Sequence, residues 1–233
     1  MTDNKCKKSS IWRAYRDSRN IYDDVMTQGS FLSRLYARFF WSGTDDNAVA
    51  GKLLACIPDD FAGILLDVPA GTAVFTEKKW RSLSNARITC LDYSTDMLDM
   101  AKRRLGACKH ISFVRGDVES LPLPSESCDV VVSMNGFHAF YDKKRAFRET
   151  FRVLRKGGMF LACFYVKGKS KRADWLVKNI LSKKGWFSPP FPTEEQILKI
   201  LHKFYAKVEY DMDGSIIWFQ CVKGGETQCL RQR

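Results

Sequence analysis

The chain has 233 residues, 45% hydrophobic and 13% aromatic, enough to bury a sizeable core and to exclude extensive disorder. Lys and Arg number 38 against 26 Asp and Glu, and the net charge of +12 brings nucleic acid, anionic membrane and acidic substrates into consideration. No apolar run reaches the roughly 18–20 residues of a membrane helix, and the basic opening MTDNKCKKSS lacks the apolar stretch of a secretory signal, so a cytoplasmic protein without a membrane span is expected.

Residues 1–60 read as a helical cap. Ile11, Tyr15, Ser18 and Tyr22, then Phe31, Leu32, Leu35, Tyr36, Phe39 and Phe40, and then Val49, Leu53, Leu54 and Ile57 recur at helical spacing until Pro58. From Gly63 the texture changes to short apolar runs at Ile64–Val68, Ile88–Leu91, Ile111–Val114, Val130–Met134 and Met159–Val166. Most of the intervals between them are long enough for the crossover helices that consecutive parallel strands require.

One crossover buries Leu98, Ala101 and Leu105, with Asp96 near the positive end of its dipole. Another buries Phe147, Phe151 and Leu154, with Asp142 as its N-cap and Gly157 as its stop. The stretch from Thr72 to Ser84 is less periodic, and Pro122, Pro124 and Ser125 mark a crossover with little or no helix. After Val166 come a basic helix from Arg172 to Lys184, a turn at Ser188-Pro189-Pro190, and a helix opened by the capping box Thr193-Glu194-Glu195-Gln196. Strands Lys207–Tyr210 and Ile216–Val222 follow, joined at Asp213-Gly214. Alternating strands and helices with an antiparallel ending specify an open α/β domain over residues 61–223, with 224–233 as a flexible tail.

The eight cysteines form no CxxC pair and no zinc-ligand cluster, so no metal is expected. Cys90, Cys128 and Cys163 sit inside strand runs as small buried hydrophobes, in keeping with a reducing compartment. Lys144, Arg148, Arg152 and Arg155 follow helical spacing and form one basic stripe. A solvated face explains this stripe better than a nucleic-acid groove, because no RNA-module signature accompanies it.

The chemistry starts at Leu65-Leu66-Asp67-Val68-Pro69-Ala70-Gly71-Thr72-Ala73, where a buried strand enters a tight turn of small residues and then a helix. Such a turn lets a ligand approach the backbone closely. Asp92 stands at the end of the next strand, where an acid accepts both ribose hydroxyls of an adenosine cofactor. Asp117 closes the third strand, in a position to meet an adenine amino group. The G-x-G-x-x-G spacing of nicotinamide dehydrogenases is missing.

These runs resemble class I S-adenosylmethionine-dependent methyltransferases, in the branch similar to ubiquinone/menaquinone-biosynthesis enzymes. The matching pieces are Leu66-Asp67-Val68-Pro69-Ala70-Gly71-Thr72, Leu91-Asp92-Tyr93-Ser94 with Met97-Leu98 and Ala101, Gly116-Asp117-Val118 with Leu121-Pro122, Cys128-Asp129-Val130-Val131, and Arg152-Val153-Leu154-Arg155-Lys156-Gly157-Gly158. They cover residues 63–167 in the family's order. The first motif departs from the family: of its usual three glycines only Gly71 survives, with Pro69 and Ala73 at the other two places.

The resemblance implies a Rossmann-like sheet of seven strands, S-adenosyl-L-methionine as cofactor, and methyl transfer to O, C or S of a small apolar or aromatic acceptor. It places the cofactor against Asp67, Pro69, Ala70, Gly71, Thr72, Asp92, Tyr93, Ser94, Met97, Asp117, Val118 and Asn135, with Tyr22 reaching over it. The acceptor then meets Tyr15, Phe31, Tyr36, Phe137, His138, Tyr165 and Trp175. His138 is the histidine expected in the crevice and the candidate general base, although an acceptor that ionises readily needs none. Asn135-Gly136-Phe137 lacks the Asn/Asp-Pro-Pro-aromatic pattern of amino-group methyltransferases, which argues against DNA as substrate. Two alternatives stay open: a methyltransferase acting on RNA, suggested by charge, and a non-catalytic cofactor-binding protein, suggested by Pro69 and Ala73.

Overall fold

The computed structural model describes Trp41 and residues 44–224. The predicted helices before Trp41 and the predicted tail lie outside the described residues. Seven strands form one sheet in the order β3-β2-β1-β4-β5-β7-β6. They are β1 (Ile64–Asp67), β2 (Arg87–Asp92), β3 (Ile111–Arg115), β4 (Cys128–Met134), β5 (Leu154–Tyr165), β6 (Lys207–Asp213) and β7 (Ile216–Val222). The first five are parallel, and β7 runs antiparallel between β5 and β6.

Successive residues of the central strands enter opposite cores, as the two-residue period of a strand dictates. Leu65, Val130, Val132 and Leu161 belong to one core, and Leu66, Val131, Phe160 and Phe164 to the other. Both faces are therefore covered, which is why these strands read as continuous apolar runs. The first core takes Val49 and Leu53 of α1 (Asp46–Ala55), Trp80 of α2 (Glu77–Ser82), Ala101 and Leu105 of α3 (Thr95–Leu105), and Ala173 and Leu176 of α5 (Lys171–Leu176). The second takes Phe147 and Val153 of α4 (Lys143–Val153) and Ile197 and Leu201 of α6 (Glu194–Phe204). Within the predicted cap region, α1 thus buries its apolar side in the same core as the sheet.

Local signals act as their chemistry requires. Asp142 caps α4 through the Arg145 N–H at 2.9 Å, and Thr193 and Gln196 form both halves of the capping box on α6. Three expectations need correction. Helix α4 ends at Val153 and passes directly into β5 at Leu154, which pairs with Cys128; Gly157 lies within that strand at φ +75°, its N–H donating to Lys223 O, and does not stop the helix. No helix begins at Gly71: irregular turns run to Thr76 before α2 starts at Glu77. The four-residue basic stripe is broken, because Arg155 lies on β5 against Asp129 and Arg152 donates to Glu149 and to the carbonyls of Leu121 and Leu123.

Candidate active site

Strand order reverses between β1 and β4, and at that point an open parallel sheet leaves a crevice beyond its carboxyl ends. The crevice here is lined by the loop from Asp67 to Thr76, by Leu91 to Ser94 with Met97, by Gly116 to Glu119, and by Met134, Asn135 and Ala139 to Tyr141. The loop after β4 and the Gly71 loop therefore face each other, as expected.

Asp92 fixes the floor. Its Oδ2 accepts the Gly71 N–H at 2.9 Å and its Oδ1 accepts the Ser94 N–H at 2.8 Å, so one carboxylate ties the first loop to the start of α3. Burial pushes its pKa up to about 6, opposed by those backbone donors. Gly71 holds φ +53°, and a Cβ built there meets nothing within 4 Å, so the backbone borders open space where a ligand can lie against it. Ala73 occupies φ +60°, the left-handed region where a glycine is usual, at a strain of about 1 kcal/mol. Pro69 sits against Gly136, where a Cβ would collide with the proline ring and approach Ser133 Oγ to 2.8 Å. Glycine at 136 is what lets the two loops close on each other.

Asp67 lies deeper. Its Oδ2 accepts from Trp80 Nε1 at 2.7 Å and from Thr76 Oγ1 at 3.2 Å, and burial raises its pKa to about 7. Across the crevice Asn135 stands at φ +50° and donates through Nδ2 to Asp46 Oδ1 at 3.2 Å. Asp117 Oδ1 accepts the Glu119 N–H at 2.9 Å, and Glu119 Oε1 accepts the Asp142 N–H at 2.8 Å, so the third wall is braced by α4.

The lining has one electrostatic sign. It holds Asp67, Asp92, Asp117 and Glu119, and no Lys, Arg or His among the described residues, in a chain of net charge +12. Carboxylates beside Val68, Phe75, Leu91, Val118 and Met134 suit a ligand that is cationic and partly apolar, and they oppose phosphates.

The structure brings Asp67, Pro69, Ala70, Gly71, Thr72, Asp92, Tyr93, Ser94, Met97, Asp117, Val118 and Asn135 together around the crevice. Four predicted acceptor residues are placed elsewhere. Phe137 is fully buried in the second core, its ring centroid 4.3 Å from that of Phe147 and 5.1 Å from that of Phe164. His138 does not line the crevice; its ring stacks on Phe187 at 3.9 Å and 6°. Burial, then the charge of Lys143, depresses the pKa of His138 to about 3, so the ring stays neutral and is a weak proton acceptor. The Tyr165 hydroxyl donates to Asp174 Oδ1 at 2.6 Å, and Trp175 stands 55% exposed on α5. Tyr15, Tyr22, Phe31 and Tyr36 lie outside the described residues.

Sequence reasoning missed Phe75, Trp80, Glu119 and Tyr141. Glu119 carried a faint signal, standing just beyond Asp117. Trp80 carried none, because its indole reaches Asp67 only through the irregular turns that precede α2.

Residues 66–162 match the protein family described as a methyltransferase domain. The chain is 28% identical over 198 residues to 2-methyl-6-phytyl-1,4-hydroquinone methyltransferase 1, a chloroplastic protein of Oryza sativa subsp. japonica, with 84% of this chain and 53% of that one covered. It is 27% identical over 171 residues to the ubiquinone/menaquinone biosynthesis C-methyltransferase UbiE of Hahella chejuensis, with 72% and 63% covered. It thus spans less than two thirds of the length of either relative. A solved SAM-dependent methyltransferase of Thermotoga maritima shares its fold, with a TM-score of 0.65 at 18% identity over 91% of this chain and 99% of that one.

Proposed function

We propose, from the match of residues 66–162 to the methyltransferase-domain family, that the protein binds S-adenosylmethionine in the crevice and transfers its methyl group to a small aromatic acceptor of the quinol type, at carbon. The observation that carries this reading is the crevice lined by four carboxylates and, among the described residues, no side-chain cation, in a chain of net charge +12. A sulfonium and an ammonium are stabilised by such a lining, whereas a dinucleotide or a nucleic-acid backbone would bring its phosphates against it. The residues fit the group in shape as well: Gly71 leaves open space at the tightest bend, and Asp92 keeps further lone pairs after serving two backbone donors. The named activities of the rice and Hahella relatives support the acceptor class.

When bound, the cofactor supplies a methyl group already activated by a sulfonium leaving group. The protein's share is to orient and to exclude water. Asp92 would hold the ribose, Asp117 would receive the adenine amino group, and Met97 and Val118, which line the crevice, would border the base. Asn135, oriented by Asp46, and Phe140 and Tyr141 form the wall opposite the Gly71 loop. Alignment of this kind accounts for roughly 7–11 kcal/mol of a barrier in well-oriented cases. The reading does not use His138 as base, because its buried, neutral ring lies outside the crevice.

The test is incubation with methyl-labelled S-adenosylmethionine and a short-chain hydroquinone or naphthoquinol. Label appearing on ring carbon supports the reading. Absence of binding by both S-adenosylmethionine and S-adenosylhomocysteine in calorimetry overturns it.

A further inference from the structure

The positive charge kept out of the crevice has to be somewhere else, and one segment of the surface concentrates it. Lys167, Lys169, Lys171, Arg172, Lys178, Lys183 and Lys184 are all exposed along one short stretch. The one acid in that stretch, Asp174, is turned inward to accept from Tyr165 and from the Gly168 N–H, and Lys169 pairs with Glu194. Helix α5 and the π-helical turn after it (Val177–Leu181) are two-faced: Ala173, Leu176, Val177 and Leu181 are buried, while Lys171, Arg172, Trp175 and Lys178 are exposed. Trp175, 55% exposed, therefore stands in the middle of a cationic face.

The segment continues to the loop after β4 and the start of α4. Lys184 lies over the Trp186 ring at 5.5 Å, and Phe187 stacks on His138. Ser188 is clasped to the loop after β4, its N–H donating to His138 O at 2.8 Å and its carbonyl accepting from Lys143 Nζ at 2.5 Å. A cavity of about 530 Å³ opens between this clasp and the start of α4, with Phe187, Pro189 and Pro190 on one side and, on the other, Asp142, Lys143, Lys144 and Tyr141, which also borders the crevice.

We propose that the cationic face of residues 167–184, with Trp175 at its centre, docks on an anionic lipid bilayer, so that the Tyr141–Phe187 cavity can receive an apolar acceptor carried in that bilayer. No helix among the described residues is long and apolar enough to cross a membrane. An exposed tryptophan flanked by Lys and Arg is suited to the headgroup region, where the indole ring is half solvated and the cations meet anionic lipid. The docking face is independent of the methyl-transfer reading; only the arrival of the acceptor rests on it.

The test is sedimentation of the full chain with vesicles of equal parts phosphatidylglycerol and phosphatidylcholine, compared with phosphatidylcholine alone. Binding only to the anionic vesicles, released by salt, is the expected result. The triple change Lys171→Glu, Arg172→Glu and Lys178→Glu weakens partitioning by at least about a hundredfold, because each cation held near an anionic surface strengthens it several-fold. Trp175→Ala weakens it about tenfold. A charge-matched control on the far edge of the sheet, Lys78→Glu with Arg103→Glu and Lys109→Glu, leaves it within threefold. S-adenosylhomocysteine binding unchanged in all three variants separates loss of docking from loss of fold and from failure of the catalytic reading. Equal binding to neutral vesicles, an equal loss in the control, or salt-sensitive binding to single-stranded RNA that vesicles do not displace would each overturn the proposal.

Discussion

Asp92→Asn removes one charge and one acceptor while leaving the volume of the side chain nearly unchanged. In the native site the two carboxylate oxygens accept from Gly71 N–H at 2.9 Å and Ser94 N–H at 2.8 Å. An asparagine offers one acceptor, so its amide nitrogen faces one of those backbone donors and leaves it unsatisfied. The cost is about 1–3 kcal/mol of stability, and a loss of about 2 kcal/mol lowers Tm by roughly 4–8 °C in a chain of this size. Under the proposed function, the same change would convert charge-assisted hydrogen bonds to two ribose hydroxyls into neutral ones and loosen the Gly71 bend. A combined loss of about 2–4 kcal/mol corresponds to roughly 30- to 1000-fold weaker binding. Calorimetry with S-adenosylhomocysteine and thermal melts read the two effects separately. A variant that binds within threefold of the parent and melts at the same temperature would show that this carboxylate neither grips a ligand nor holds the loop.

Gly71→Ala should cost only about 1 kcal/mol of stability, for φ +53° without any clash, yet weaken S-adenosylhomocysteine at least about tenfold, because the added methyl projects into the space a ligand would use; equal retention of both properties argues against a ligand there. Gly136→Ala should destabilise by about 1–3 kcal/mol, seen in chemical denaturation, since its Cβ collides with Pro69. His138→Phe should keep the rate of methyl transfer within about threefold, because the ring is buried, neutral and stacked on Phe187; a hundredfold fall would restore it as a base. The pKa of Asp92 is raised to about 6 and that of Asp67 to about 7, both by burial. Between about pH 4 and 7 the folded chain therefore holds protons that the unfolded chain has released, so stability without ligand falls as pH rises through that window. Affinity for the cationic ligand moves the other way, rising from about pH 5 to 7 as the carboxylates ionise, with proton release measurable by calorimetry in buffers of different ionisation enthalpy.

Legibility followed locality. Strand β7 is found at its predicted bounds, and β1 to β4 are found within two residues at each end, because each is a contiguous apolar run. The caps at Asp142 and Thr193 were readable because both partners lie within one helical turn. That Gly71, Asp92 and Asp117 would meet around one crevice was readable for a related reason: they follow strand ends, and a strand end fixes position with no knowledge of distant contacts. The surroundings of Phe137 and His138 were not. Phe137 and His138 are neighbours in a loop, and whether their rings face a crevice or a core depends on what the second core and the segment around Phe187 supply. Gly157 read as a helix stop because its conformational freedom suits a stop as well as it suits an irregular strand; pairing with Cys128, on the preceding strand, drew Leu154 into the sheet first.

The amino-acid order alone determined that an α/β sheet forms and that Gly71, Asp92 and Asp117 follow the ends of successive strands, since strand periodicity and turn chemistry act over a few residues. Only the assembled fold decided that four carboxylates line one crevice with no cation among the described residues, and that Trp175 stands exposed beside Lys171, Arg172 and Lys178 while Asp174 turns inward. Charges far apart in sequence become a field only when packing sets the distances between them, and a net charge of +12 carries no information about where its sign reverses.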